Sequence, residues 1–186
     1  MIGYIFKKST GEFSHTLEST NEAMLTLQES ESQAVFVSET PLSNHYLDLK
    51  SGVVKEKPHK PSEHCVFDHR SLSWFDPRTV EEVRVNKLKE MKLSRDTSES
   101  AGFEFMGMMI DSDEKSVTRI HTAVLYSGGT IDWVTQDNNV LTLDQGALLA
   151  LKKALSDHIS SQHSKYKAIK ETANSSKIPE IDTITW

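Results

Sequence analysis

The stretch that decides the fold is TLDQGALLALKKALSDHISSQHSKYKAIKETANS, running from Thr142 to Ser175. Thr142-Leu143-Asp144-Gln145 has the form of a capping box, with Thr142 as N-cap and Gln145 reaching back. Behind it Leu148, Leu155, Gln162 and Ile169 recur at intervals of seven, and so do Ile159, Tyr166 and Ala173. The two series interleave as d and a positions of a heptad pattern, with Lys152 as a weak first a. A helix of about 33 residues is about 50 Å long. Leu148, Leu149, Leu151, Ala154 and Leu155 make a wide apolar face at its start, which suits packing on the same domain. Past His158 the face narrows to Ile159, Gln162, Tyr166 and Ile169. A narrow face suits a coiled-coil seam, so this half is expected to pair with another copy, a trimer being favoured. Gln162 would fix the register. The competing reading is a single long helix packed throughout on its own domain.

Composition bounds what the rest can be. The 186 residues suffice for one domain or two small ones, and a hydrophobic content of 37% against 26% charged allows only a modest core. The net charge of −6 disfavours generic nucleic-acid binding. The sign is uneven: residues 1–40 carry two Lys and six Glu, whereas residues 142–178 carry six Lys against Asp144, Asp157 and Glu171. The ends of neighbouring copies could attract, but two solvated faces are the simpler reading. Cys65 is the single cysteine, so no intrachain disulfide forms and a reducing compartment is expected. The apolar run Ile2–Phe6 is too short for a signal peptide, and nothing approaches a membrane span.

The first part of the chain reads as hairpins. Ile2–Phe6 and Phe13–Leu17 flank Ser9-Thr10-Gly11; Asn21 opens a short helix to about Gln28; residues 34–37 form a strand; and Tyr46–Leu49 and Val53–Lys55 flank a Ser51-Gly52 turn. The two hairpins share a local Tyr-led pattern that could record a duplication. Residues 59–78, with Pro61 and Pro77 and the aromatic side chains of Phe67, Trp74 and Phe75, read as an ordered connector. The expected units are residues 1–58, that connector, a domain over 79–178, and a short tail over 179–186.

Within the second domain, Asp76-Pro77 is read as N-cap and first helical residue of a helix to about Leu93, with Thr97–Ser100 as a polar break. Phe103–Ile110 reads as one strand, apolar on both faces. Residues 116–125 fit a helix through Val117, Ile120 and Val124, although a strand also fits. Ile131–Val134 and Val140-Leu141 form a hairpin around Asp137-Asn138-Asn139. The fold class is therefore α+β: a small hairpin-rich N-terminal domain, a Pro-rich connector, and a C-terminal helix–sheet–long-helix domain.

Candidate chemistry is sparse. His59, His64, Cys65, Asp68 and His69 fall within eleven residues and include good zinc ligands, but in no compact zinc spacing. Asp111, Asp113 and Glu114 lack the glycine at the sixth position and the glutamate at the twelfth of a calcium loop, Thr122 standing at the latter, so a helix cap is expected there. No phosphate loop, serine elbow or metalloprotease helix is present. His64 beside Cys65 is not a dyad, because sequence neighbours do not face each other. The expectation is no catalytic residue, no metal and no cofactor.

Several elements together carry a resemblance. They are a charged first helix (Arg84, Lys87, Lys89), Phe103-Glu104-Phe105 leading to Asp111, Trp133 with Asp137-Asn138-Asn139, Leu141-Thr142-Leu143 opening a helix with His158 and His163, and the ending Ile181–Trp186. On these, residues 78–178 resemble a domain of unknown function found in tail-fibre and related tail proteins of tailed bacteriophages. The resemblance implies a structural, non-enzymatic component of the tail, in the fibre or baseplate region. It would attach or oligomerise fibre subunits, reside in the virion after assembly in the host cytoplasm, and contact other tail proteins. A tail-fibre assembly chaperone not retained in the virion is the alternative, and a small phage-encoded enzyme the second. The resemblance brings no catalytic residues with it.

Overall fold

The computed structural model describes all 186 residues, and they divide into two units, Met1–Arg78 and Thr79–Trp186. The fold is α+β.

In the first unit, β1 (Ile2–Lys7) is the middle strand of an antiparallel sheet, with β2 (Phe13–Glu18) and β3 (Gln33–Ser38) as its edges. Strand side chains alternate between faces, so Ile2, Tyr4 and Phe6 point one way and Gly3 and Ile5 the other. Both faces are covered: Tyr4, Ile5 and Phe6 are buried. On the Ile5 side, α1 (Glu22–Thr26), capped by Asn21, brings in Leu25. A Cβ at Gly3 would come within 3.1 Å of the Leu25 side chain, so the glycine admits the helix. On the Tyr4 side lies the hairpin of β4 (His45–Asp48) and β5 (Val53–Glu56), which contributes Leu47 and Val54. Gly11, at φ +75°, seats that hairpin: its carbonyl accepts from Leu47 N at 2.9 Å, where a Cβ would meet Leu47 O at 2.1 Å. The turn between the two strands is held by Asp48, which accepts from Lys50 N, Ser51 Oγ and Lys55 Nζ. The Lys55 and Ser51 bonds hold its carboxyl well below the usual carboxylate range.

Residues 59–78 contain a hairpin that the sequence does not announce, β6 (Val66–Asp68) with β7 (Ser73–Phe75). Phe67 and Trp74 are cross-strand partners with ring centres 5.2 Å apart, and Phe67 packs on Tyr46 at 5.1 Å. This stretch therefore belongs to the Met1–Arg78 unit.

The second unit opens with α2 (Val80–Ser100). Its N-cap is Thr79, not Asp76. Glu82 N donates to Thr79 Oγ1 at 3.2 Å, and Thr79 N donates back to Glu82 Oε2 at 2.8 Å. Asp76 is occupied by Arg78 instead, through its backbone N, Nε and Nη2. The helix passes Leu93 and runs through Thr97–Ser100 without a break.

The single strand expected over residues 103–110 is a hairpin, β8 (Phe103–Phe105) and β9 (Met108–Ile110). Its two turn residues, Met106 and Gly107, both take positive φ, as a type I′ turn demands. Then come α3 (Glu114–Tyr126), capped by Asp113 through Ser116 N at 2.7 Å, and the hairpin of β10 (Ile131–Val134) and β11 (Val140–Leu143). The long helix α4 spans Gln145–Ser175. Thr142 is not its cap: it lies in β11 and donates to Asp132 Oδ1 across the hairpin at 2.7 Å. Asp144 takes the role, accepting from Ala147 N, while Gln145 donates to Val124 O. The chain closes with α5 (Ile178–Asp182), which buries Ile181. Residues 179–186 are thus a packed element. Leu148, Leu151 and Leu155 of α4 meet Phe103, Ile110, Ile120, Val124 and Leu143 in one core.

Residues 76–186 expressed alone should melt cooperatively; a non-cooperative melt would show that this unit needs the other. In that fragment Thr79→Ala should cost about 1 kcal/mol, the usual loss for an N-cap. The cap also has a pH signature. The hydrogen bonds from Thr79 hold Glu82 below its ordinary value of 4.5. A lowered carboxyl stabilises the folded state above that value and loses its contribution as pH falls through the folded one. Thermal melts from pH 7 downward should therefore show the difference between parent and Thr79→Ala shrinking below about 4.5.

Candidate functional site

From His158 onward the heptad-spaced residues of α4 run along α2 of the same unit, antiparallel to it, whereas Leu148 and Leu155 pack in the core with α3 and the two hairpins. Arg84 Nε donates to Ala173 O at 3.1 Å, and Tyr166 OH points to Leu88 O at 3.5 Å, beneath the Arg95 guanidinium at 5.2 Å from its ring centre. At the far end His158 Nε2 lies 3.1 Å from Ser98 O. Leu148, Leu155 and Ala173 are buried; Ile159, Gln162, Tyr166 and Ile169 are half-buried. On α2 the complementary stripe is Val83, Lys87, Met91, Arg95 and Ser98, spaced at three and four, with Leu88 beside it. The seven-residue spacing thus has an occupant within the chain, and the packing of one long helix on its own domain accounts for it without a second copy.

The end of this seam is polar. The last carbonyls of a helix lack intrahelical donors. Those of α2 are met from outside: His158 reaches Ser98 O and Glu99 O, and Ser112 Oγ donates to Glu99 O while accepting from Gly102 N. His158 also stacks on Phe103, 5.8 Å centre to centre. The Glu99 carboxylate faces His163 Nε2 at 3.0 Å and Arg95 Nε at 3.3 Å. Trp186 Nε1 donates to Ser98 Oγ at 2.7 Å under Lys165 Nζ, 4.6 Å from its ring. These contacts explain why Thr97–Ser100 stays helical despite its polar composition. They tie the helices together.

The first unit carries an open apolar surface. A groove of about 460 Å³ runs between β3 and the β4/β5 hairpin, lined by Phe6, Ala34, Phe36, Leu47, Leu49 and Val54. Lys8 and Glu29, paired at 3.0 Å, also line it. Phe36 and Leu49 are exposed there, and β3 has no strand on its other side. None of these residues stands out in the sequence, because the groove joins positions from four separate segments.

The histidine-rich stretch is dispersed. Cys65 Sγ lies 3.3 Å from Ser62 Oγ, and Asp68 accepts from Ser71 Oγ and Arg70 N. His69 stands edge-on to Phe67, and its burial lowers its pKa. No three His, Cys, Asp or Glu side chains gather as metal ligands. Asp113 serves as the α3 cap described above. No helix is long and apolar enough to cross a membrane.

Residues 82–185 match the model of a domain of unknown function, DUF4376, and the chain belongs to that family. The match spans the second unit from the first turn of α2 almost to the last residue. No curated protein and no solved structure matches the chain.

Ile159→Asp combined with Ile169→Asp tests what the seam does. Placing two carboxylates against α2 should destabilise the second unit by about 2–4 kcal/mol, read by urea unfolding. A protein that keeps its stability but changes its light-scattering mass would instead assign these positions to contact between copies.

Proposed function

We propose that this chain is a structural component of a bacteriophage tail, in the fibre or baseplate region, acting by binding other tail proteins and not by catalysis. The resemblance of residues 78–178 to tail-associated domains supports the setting. The observation that carries the binding role is the apolar groove beside the free edge of β3. An unpaired strand edge next to pockets for alternate side chains is the arrangement by which an extended segment adds to a sheet. The Met1–Arg78 unit is on this reading the attachment end, and its partner an extended segment of a neighbouring tail protein. Homo-oligomerisation, with a trimer as the expected state, belongs to the same proposal. It would use outward side chains of α2 such as Val85 and Leu93, both exposed, since α2 itself covers the seam.

Mass spectrometry of washed virions tests the setting. Stoichiometric presence in particles supports it; presence in the lysate with absence from particles assigns the chain to fibre assembly as a chaperone. Leu49→Glu tests the attachment end. Leu49 is already exposed, so stability should change by no more than about 0.5 kcal/mol. Incorporation into particles should nevertheless fall. Normal incorporation of a folded Leu49→Glu protein would remove the groove from the proposal.

A further inference from the structure

The free edge of β3 has a length and a pattern set by the bonds around it. Lys8 N donates to Ser32 O at 2.8 Å, one step beyond the Lys7–Gln33 pair, so Lys8 and Ser32 are a hydrogen-bonded pair of the β1/β3 ladder. Bonded and non-bonded pairs alternate along an antiparallel ladder. Ala34, Phe36 and Ser38 therefore spend their backbone groups on β1, and Gln33, Val35 and Val37 turn theirs outward. Gln33 is closed off: its carbonyl accepts from Ser30 N at 3.0 Å, and its N–H donates to Ser30 Oγ at 3.1 Å. What stays open is one N–H and one C=O on each of Val35 and Val37, with Phe36 between them.

The two edges of this sheet are built differently. Exposed edges are normally guarded by charges, prolines or bulges. The outer strand β2 has a bulge where its register with β1 shifts, and Glu12 and Glu18 stand at its two ends. The strand β3 reads Gln-Ala-Val-Phe-Val-Ser, with no charge, no proline and an unbroken register. Exposed apolar side chains flank it. Phe36 and Leu49 lie at the groove, and Met24 and Leu27 belong to α1 and its C-cap, on the helix that lies over β3.

We infer that the β3 edges of two copies of this chain pair antiparallel across a two-fold axis at Phe36, joining two three-stranded sheets into one of six. Val35 then stands opposite Val37 of the second copy, and Val37 opposite its Val35, so all four open groups of each copy are matched. Phe36 meets Phe36 of the second copy as a non-hydrogen-bonded pair, with Cα atoms about 4.5 Å apart. Aromatic cross-strand pairs of this kind add to the stability of a sheet. Closure selects a second copy as the occupant. A lone strand laid on β3 would present its own far side as a new open edge. The far side of a second β3 is already bonded to its own β1, and the outermost strands of the joined sheet are the two guarded β2. The pairing is a state of the free chain and stands apart from the attachment reading; a segment of a neighbouring protein would compete for the same edge.

Disulfide trapping in the full chain carrying Cys65→Ser tests the register. Phe36→Cys should form a linked dimer under mild oxidation, since about 4.5 Å between Cα atoms lies within the bridging range of about 4.4–6.8 Å. Val35→Cys alone and Val37→Cys alone should not. Each is offset from its own counterpart by two residues, about 6.8 Å along the strand in addition to the strand spacing, which exceeds the limit of about 7 Å. Mixing Val35→Cys chains with Val37→Cys chains should restore the link. In the unsubstituted chain, protection of the Val35 and Val37 amides from exchange should rise with concentration. Val37→Pro removes an outward N–H and no bond to β1, a place where an edge tolerates proline. It should weaken dimerisation at least about fivefold by sedimentation equilibrium, two hydrogen bonds being lost per dimer. Amide spectra report the folding of each variant. A chain that stays monomeric up to about 1 mM leaves the edge to a segment of another protein and overturns the pairing. Links equally frequent at positions 35, 36 and 37, or a dimer indifferent to a folded Val37→Pro variant, would overturn it too. The pairing fails or stands in the purified chain and the attachment reading in particles, so the two are judged separately.

Discussion

The second unit depends on the antiparallel pairing of α2 and α4. Arg84 meets Ala173 at one end and Glu99 meets His158 at the other, so the contact covers the same number of residues on both helices. At 1.5 Å per residue this is about 22 Å of matched length. The first turns of α4 lie beyond this contact, and there its wide apolar face covers α3 and the two hairpins. Neither hairpin could persist alone, since two-stranded ribbons are marginal in water. The helix pair is the frame on which they gain burial.

The polar end of that pairing decides where α2 stops. Helices end where donors or acceptors can be met by something else. His158 and Ser112 supply donors to the final carbonyls of α2, and Gly102, at φ +102°, turns the chain away. A Cβ there would approach Ile110 O to 2.9 Å, so the glycine also permits the close passage of β9. Arg95, Glu99 and His163 close the same corner. His158, Asp113 and Asp144 are spent on helix ends.

The first unit works with less material. It stacks rings, Tyr4, Phe6 and Phe13 on one side of the β4/β5 hairpin and Tyr46, Phe67 and Trp74 on another, where the second unit packs aliphatic side chains. Rings bury much area per residue and hold defined angles. A small unit built this way leaves concavities between its hairpins, and the groove lies in one of them.

The sequence by itself determined the α+β class, the first two hairpins and the span of α4, because period, turn residues and apolar runs are local signals; after Asp113 it allowed both helix and strand, and the structure chose the helix. The seven-residue spacing in α4 was legible too, but spacing specifies only that a helix has a narrow partner face. Val83, Leu88 and Met91 mark an apolar stripe on α2 in the sequence as well, but only tertiary structure decided that this stripe is the partner, because which face meets which is not encoded along the chain. Caps were misplaced for a related reason. Asp76 and Thr142 both have capping chemistry, but Arg78 and Asp132 claimed their side chains, and competition for a hydrogen bond is not visible along a chain. The turn at Met106-Gly107 was hidden because methionine rarely adopts positive φ, a cost the surrounding hairpin packing absorbs. The groove lay beyond sequence altogether, since it joins Phe6 to Leu47 and Leu49, which only the folded sheet brings together.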